Sequence, residues 1–98
     1  VVTWINCFEV PDGQQDQFFA VWRKMAVEHF KTKPGFVNYR MYRARNPEGR
    51  FQFVNVTVWE SAEHIEAAHD ERFRELLRNP EIADVVASPG MFDPVDEG

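Results

Sequence analysis

The sequence has one cysteine, Cys7, among its 98 residues, so no intrachain disulfide can form. A chain without such cross-links suits a reducing compartment, and a cytoplasmic location is the expectation. Long apolar runs are missing too. Nothing approaches the ~20 residues that cross a bilayer, and no signal-peptide pattern opens the chain. Positive charge is in short supply, with 11 basic residues against 16 acidic and a net charge of −5. So acidic a surface repels phosphate backbones and anionic lipid, which argues against nucleic acid or a membrane as partner. Arg40, Arg43, Arg45 and Arg50 are strung along one predicted hairpin rather than gathered into a patch. Glycine and proline are few, at five and six, and no repeat, linker or low-complexity tract is present. Neither a Ser-His-Asp set, a Gly-rich phosphate loop nor a cysteine cluster can be found.

Aromatic residues, by contrast, are plentiful: nine Phe and three Trp in a chain with room for one domain over residues 1–98. A domain this short buries only about two-thirds of the surface its unfolded chain exposes. Its interior is small for so many rings, which implies a partner surface.

Val1 to Val10 is rich in β-branched and aromatic residues and ends at Pro11-Asp12-Gly13, the pattern of a strand and a turn. Asp12, with Gln15 three residues on, is placed to cap a helix over about Gln14 to Lys31. There Phe18, Val21, Trp22, Met25 and His29 recur at helical spacing, and Pro34-Gly35 stops the run. Phe36 to Ala44 and Phe51 to Trp59 read as a hairpin about the turn-forming Arg45 to Arg50. Ser61 caps a helix through about Asp70, a second piece follows over Glu71 to Arg78, and Asn79-Pro80 ends it. The proline-bearing tail allows a short edge strand near Met91-Phe92. The order β-α-β-β-α-β is the ferredoxin-like split arrangement. It is an α+β fold with an antiparallel sheet, helices on one face and the other face free to pair with a second copy.

Alternation divides each strand into two sets. Ile5, Cys7, Val37, Tyr39, Met41, Val54, Val56 and Val58 form a chiefly aliphatic set, suited to packing beneath the helices. Trp4, Asn6, Phe8, Phe36, Asn38, Arg40, Tyr42, Phe53, Asn55, Thr57 and Trp59 form a set of large rings, amides and one guanidinium. Burying Trp4, Phe8, Phe53 and Trp59 is worth several kcal/mol at ~25 cal/mol per Å². A buried amide without a partner costs roughly 1–3 kcal/mol, so the Asn residues need partners from another subunit, water or a ligand. Aromatic walls with a few convergent polar groups are how small-molecule sites are built, although such a face also suits a plain dimer interface.

Pro34-Gly35-Phe36-Val37, then Phe53-Val54-Asn55-Val56, then Trp59-Glu60-Ser61, with Ala67-Ala68-His69 and Phe73, resemble the antibiotic biosynthesis monooxygenase superfamily over about Val2 to Leu77. The resemblance implies a homodimer joined through its sheets, with a pocket in each subunit. In the quinone-forming branch an Asn and a Trp four residues apart line that pocket, as Asn55 and Trp59 would here. Such enzymes oxidise phenolic substrates with O₂ and no metal or flavin. The implied catalytic residues are therefore Asn55, Trp59 and Asn6, with Trp4, Phe8, Asn38, Arg40, Phe53 and His69 binding a small aromatic, polyketide-like substrate. In the haem-degrading branch an Asn stands on the first strand, which Asn6 matches. That branch also needs a Trp on the second helix, where this chain has Ala67 and Ala68, and a His after it. Haem is thus the alternative cofactor to none. A dimeric binding module without turnover is the third reading.

His64 and His69 are five residues apart on one helix, which does not put both on one face, so no metal site is expected. His69 is a candidate proton acceptor or a helix-end residue bonded to a carbonyl. His29 falls on the apolar stripe and reads as a satisfied core residue. Cys7, on the aliphatic set, reads as a buried and inert thiol.

Overall fold

A computed structural model describes residues 1–98. Strands β1 (Val2–Glu9), β2 (Phe36–Arg43), β3 (Phe53–Trp59) and β4 (Val86–Phe92) form one antiparallel sheet in the order β2-β3-β1-β4. The first helical stretch comprises α1 (Gln15–Trp22), a π-helical turn (Arg23–Val27) and α2 (Glu28–Lys31). After the β2–β3 hairpin come α3 (Ala62–Ala68), α4 (Glu71–Leu76) and a 3₁₀ turn (Pro80–Ile82). No helix is long and apolar enough to cross a membrane.

Local chemistry accounts for the boundaries. Ser61 Oγ accepts from the His64 N–H at 3.2 Å, and Asp70 Oδ1 accepts from the Phe73 N–H at 3.0 Å, so each short helix has its own cap. Asp12 does not cap α1. The Gln15 side chain turns back to accept from the Gly13 N–H and to donate to Asp12, which leaves Gln14 at the cap position with no side-chain bond. Gly35 ends the turn before β2 at φ +84°, and a Cβ there would collide with the His64 ring. Only glycine meets both demands. Strand β4 is longer than the Met91-Phe92 piece expected, but it is an edge strand and so tolerates Pro89.

The wide turn in the first helix aligns its buried face. Phe18, Trp22, Ala26 and Phe30, each four residues from the next, are all buried. In a regular α-helix a four-residue step overshoots the turn, so such a row drifts around the axis. A π turn takes up the excess. The row stays over the sheet.

The two sets of strand residues stand on the faces opposite to those expected. Phe8, Phe53, Asn6, Asn55, Thr57 and Trp59 are buried beneath the helices of the same chain. Ile5, Cys7, Val54, Val56 and Val58 lie on the open face and are only partly covered. Cys7 is therefore half-exposed rather than enclosed. The cause is the helices' own composition: Phe18, Trp22, Phe30 and Phe73 present rings, and rings of the sheet pack against them. Phe8 lies 4.9 Å from Phe18 and 4.7 Å from Trp22, and Phe53 lies 5.2 Å from Phe18, between centroids.

Strand β2 changes sides along its length. Phe36 pairs with Trp59, but Asn38 pairs with Val58, so Val37 is an extra residue in a bulge. Beyond it Tyr39 and Met41 join the helix-side face, while Asn38, Arg40 and Tyr42 point to the open one. Asn38 and Arg40 are thus parted from Asn55.

Candidate functional site

Asn6 and Asn55 are direct partners across β1 and β3, and Met41 is the partner of Asn55 on its other side. Both amides are buried, 8% and 2% exposed. Their Oδ1 atoms have no hydrogen-bond partner. Opposed residues on neighbouring strands stand about 4.5–5.5 Å apart at Cβ, so the two head groups share one spot at the centre of the sheet.

Rings enclose that spot. Phe8 and Phe53 flank it on one side along the strands, Thr57, Trp4 and Trp59 on the other. Trp59 is fully buried, its ring edge-on to Phe30 at 5.8 Å and to Phe36 at 5.4 Å. Its indole N–H donates to Thr57 Oγ1 at 2.9 Å. Trp59 is thereby a fixed wall. Overhead, Phe73 links Phe30, Trp22 and His69 at 4.7, 6.3 and 5.2 Å.

His69 forms the flank with Trp4, the two rings 4.7 Å apart and both half-buried. Its Nδ1 donates to the Ile65 carbonyl at 2.7 Å, which leaves Nε2 with a free lone pair. Burial lowers its pKa from 6.5, outweighing the Ile65 carbonyl that favours the cation. It is held as a neutral base. His29 is the satisfied core residue that its place on the stripe implied, with Nε2 3.0 Å from the Ala68 carbonyl. His64 is bound through Nδ1 to Ser61 and packs over Gly35.

Of the residues singled out from sequence, Trp4, Asn6, Phe8, Phe53, Asn55, Trp59 and His69 come together on the helix side. Asn38 and Arg40 do not. They line a shallow hollow of about 370 Å³ on the open face with Tyr39, Tyr42 and Val56. A second and third hollow, about 580 and 390 Å³, adjoin each other along the outer side of the helices around Lys24, Met25, Glu28 and Leu76. None of the three reaches the amide pair, which is closed off from solvent. Trp22 belongs to this layer as well. Its Nε1–H is a further buried group without a partner.

Solved structures share this architecture. A candidate monooxygenase from Shewanella loihica superposes with a TM-score of 0.84 at 20% identity, covering 98% of this chain and 95% of that one. SnoaB, a cofactor-independent oxygenase from Streptomyces nogalater, gives 0.79 at 23% identity over 98% and 94%. MhuD, a heme-degrader from Mycobacterium tuberculosis with two hemes bound in its active site, gives 0.75 at 25% identity over 100% and 99%. No curated protein sequence is significantly similar to the chain. The family model described as antibiotic biosynthesis monooxygenase matches residues 1–76, more than three-quarters of the length and including every residue of the site, so the chain belongs to the antibiotic biosynthesis monooxygenase family.

Proposed function

We propose that this chain is a cofactor-independent monooxygenase that oxidises a small phenolic, polyketide-like aromatic with O₂. The observation that carries the reading is the Asn6–Asn55 pair: two opposed, buried amides with unpartnered oxygens inside a layer of rings. Amides left so are waiting for a polar molecule, because burial without a partner costs roughly 1–3 kcal/mol each.

The chemistry follows from the substrate's own electrons. An ionised phenol is rich enough to reduce O₂, and the protein's task is to favour the anion, hold O₂ nearby and keep water out. His69 Nε2, a neutral base at the rim, takes the phenolic proton. An amide N–H of Asn55 or Asn6 stabilises the oxyanion, a contribution of about 3 kcal/mol for a preorganised donor. Trp4, Phe8, Phe53 and Trp59 are the walls. In an anthrone-type substrate a CH₂ carbon loses four electrons and becomes a carbonyl. One atom of O₂ becomes the carbonyl oxygen, and the other leaves as water with the two hydrogens. Arg40 and Asn38, on the far face, take no part. O₂ uptake with a panel of anthrones and hydroquinones tests this: Asn55→Ala should slow it by about 100-fold, and Trp59→Phe should slow it too. Equal rates in both variants and the native protein would remove these residues from the reaction.

Haem cleavage is the second reading, favoured by the likeness to MhuD and by Asn6 on β1. The residues present do not fit the group well. Ala67 is exposed and Ala68 buried where a Trp is wanted, and the His69 ring is hemmed in by Trp4, Phe30 and Phe73. A sharp Soret band at one haem per chain would reverse the order of the two readings. Failure of every substrate in the panel would favour a binding module without turnover.

The open face supports a homodimer. Ile5, Val54, Val56 and Val58 form its centre, half-covered, with Tyr42, Val86 and Phe92 exposed around them. A second copy laid face to face would cover this apolar area. Light scattering at micromolar concentration should show twice 11.5 kDa. Val56→Glu should return it to one chain.

A further inference from the structure

Three buried side-chain atoms have no hydrogen-bond partner: Asn6 Oδ1, Asn55 Oδ1 and Trp22 Nε1. The amides belong to the oxygenase reading, but the indole is unexplained by it. Trp22 ends α1, where the π turn begins, and is 3% exposed. Its counterpart Trp59 spends its N–H on Thr57. Trp22 packs on Phe8, which stands two residues from Asn6 on the same strand face, a step of about 6.6 Å. Through Phe73 it joins the rings of Phe30 and His69. One donor and two acceptors thus occupy a single ring layer without meeting. Buried groups of complementary type pair when they can. Their separation leaves the complement to a third body.

We propose that Trp22 is a further substrate-binding residue, whose N–H holds an acceptor oxygen of the substrate while the two amide oxygens take its hydroxyls. This rests on the oxygenase reading of the site and narrows it. The substrate is an aromatic ketone with hydroxyls along one edge. That edge lies against β1 and β3, and the ketone is turned towards the first helix. The opposed amides set the spacing of the hydroxyls at about 5 Å. A hydrocarbon of the same outline would leave all three groups buried and unpaired.

Anaerobic calorimetry separates binding from turnover. The probes are 4,5-dihydroxyanthrone (hydroxyls on the edge opposite the ketone), anthrone itself, and the matching dihydroxylated dihydroanthracene without the ketone. The native protein should bind 4,5-dihydroxyanthrone about tenfold more tightly than either of the others, each lacking a hydrogen-bonding element. Trp22→Phe should weaken 4,5-dihydroxyanthrone and anthrone about tenfold and leave the ketone-free probe unchanged. Unaltered affinities in Trp22→Phe would overturn the inference, as would equal binding of all three probes, or of none, by the native protein. The ligand series needs no variant, so the test survives if Trp22→Phe does not fold. Binding that depends on Trp22 without any O₂ uptake would sink the oxygenase reading alone. Turnover with Trp22-independent affinity would sink this inference alone.

Discussion

Replacing Asn55 with valine should make the folded protein more stable. The amide is 2% exposed and its oxygen has no partner, so the native fold carries a desolvation penalty of roughly 1–3 kcal/mol there. Valine removes the penalty, suits a central strand, and adds little volume to a tightly packed layer. A net gain of about 1–2 kcal/mol raises Tm by about 5–15 °C in a domain of this size. Thr57→Val, two residues along, is the matched control. Thr57 Oγ1 accepts from Trp59 Nε1, and valine would leave that N–H buried and bare. Its loss should be about 1–3 kcal/mol, with Tm falling by about 4–24 °C. Calorimetric melts of the two variants beside the native protein, all at one concentration, decide the matter. If Asn55→Val melts lower while Thr57→Val is unchanged, the amide is paired and the threonine is not, and the argument for the site falls. A variant that is sturdier yet inactive is the expected signature of a polar group kept for function.

Gly35→Ala meets both a left-handed backbone and the His64 ring, so it should lower stability by at least about 2 kcal/mol, read from the shift in urea midpoint. Asp70 is lowered from 3.8 to about 2, first by the Phe73 N–H and then by Lys33, whose Nζ is 3.0 Å away. Its folded value lies below its unfolded one, so its charge stabilises above that range and the benefit is lost as pH falls from 3.8 towards about 2. The Tm gap between native protein and Asp70→Asn should close over that interval, and a constant gap would contradict the assignment. Burial depresses the His69 value from 6.5, so below 6.5 the unfolded chain binds more protons and stability should climb with pH. His69→Phe should flatten that slope, and an unchanged slope would show that its titration contributes nothing.

Much of this architecture was legible from residue order. The strands, the hairpin at Arg45 to Arg50, the Ser61 cap and the stop at Pro34-Gly35 all follow from local rules, and local rules govern local geometry. The placement of the two faces is not legible from alternation alone. Alternation sorts Phe8 from Cys7 and Asn55 from Val54, but says nothing about which set turns inward. That depends on what the helices offer, and the ring row of Phe18, Trp22 and Phe30 would have given the answer. The bulge at Val37 left no mark in composition, yet one added residue carries Arg40 to the other side of the sheet. Trp22 stands at helical spacing with Phe18 and Met25, and it is buried in the core. Its missing partner could be known only from three-dimensional neighbours.

The wide turn at Arg23–Val27 also governs how the chain can be altered or matched to its relatives. A π turn amounts to one residue inserted in an α-helix. Deleting Lys24 would leave Phe30 eleven residues from Phe18, about three full turns of a regular helix, so the bulge would close without turning the later face away from the sheet. His29 would keep the Ala68 carbonyl and Phe30 its place against Trp59. Counting along this helix from a relative without the insertion therefore matches positions correctly up to Trp22 and falls out of phase beyond it.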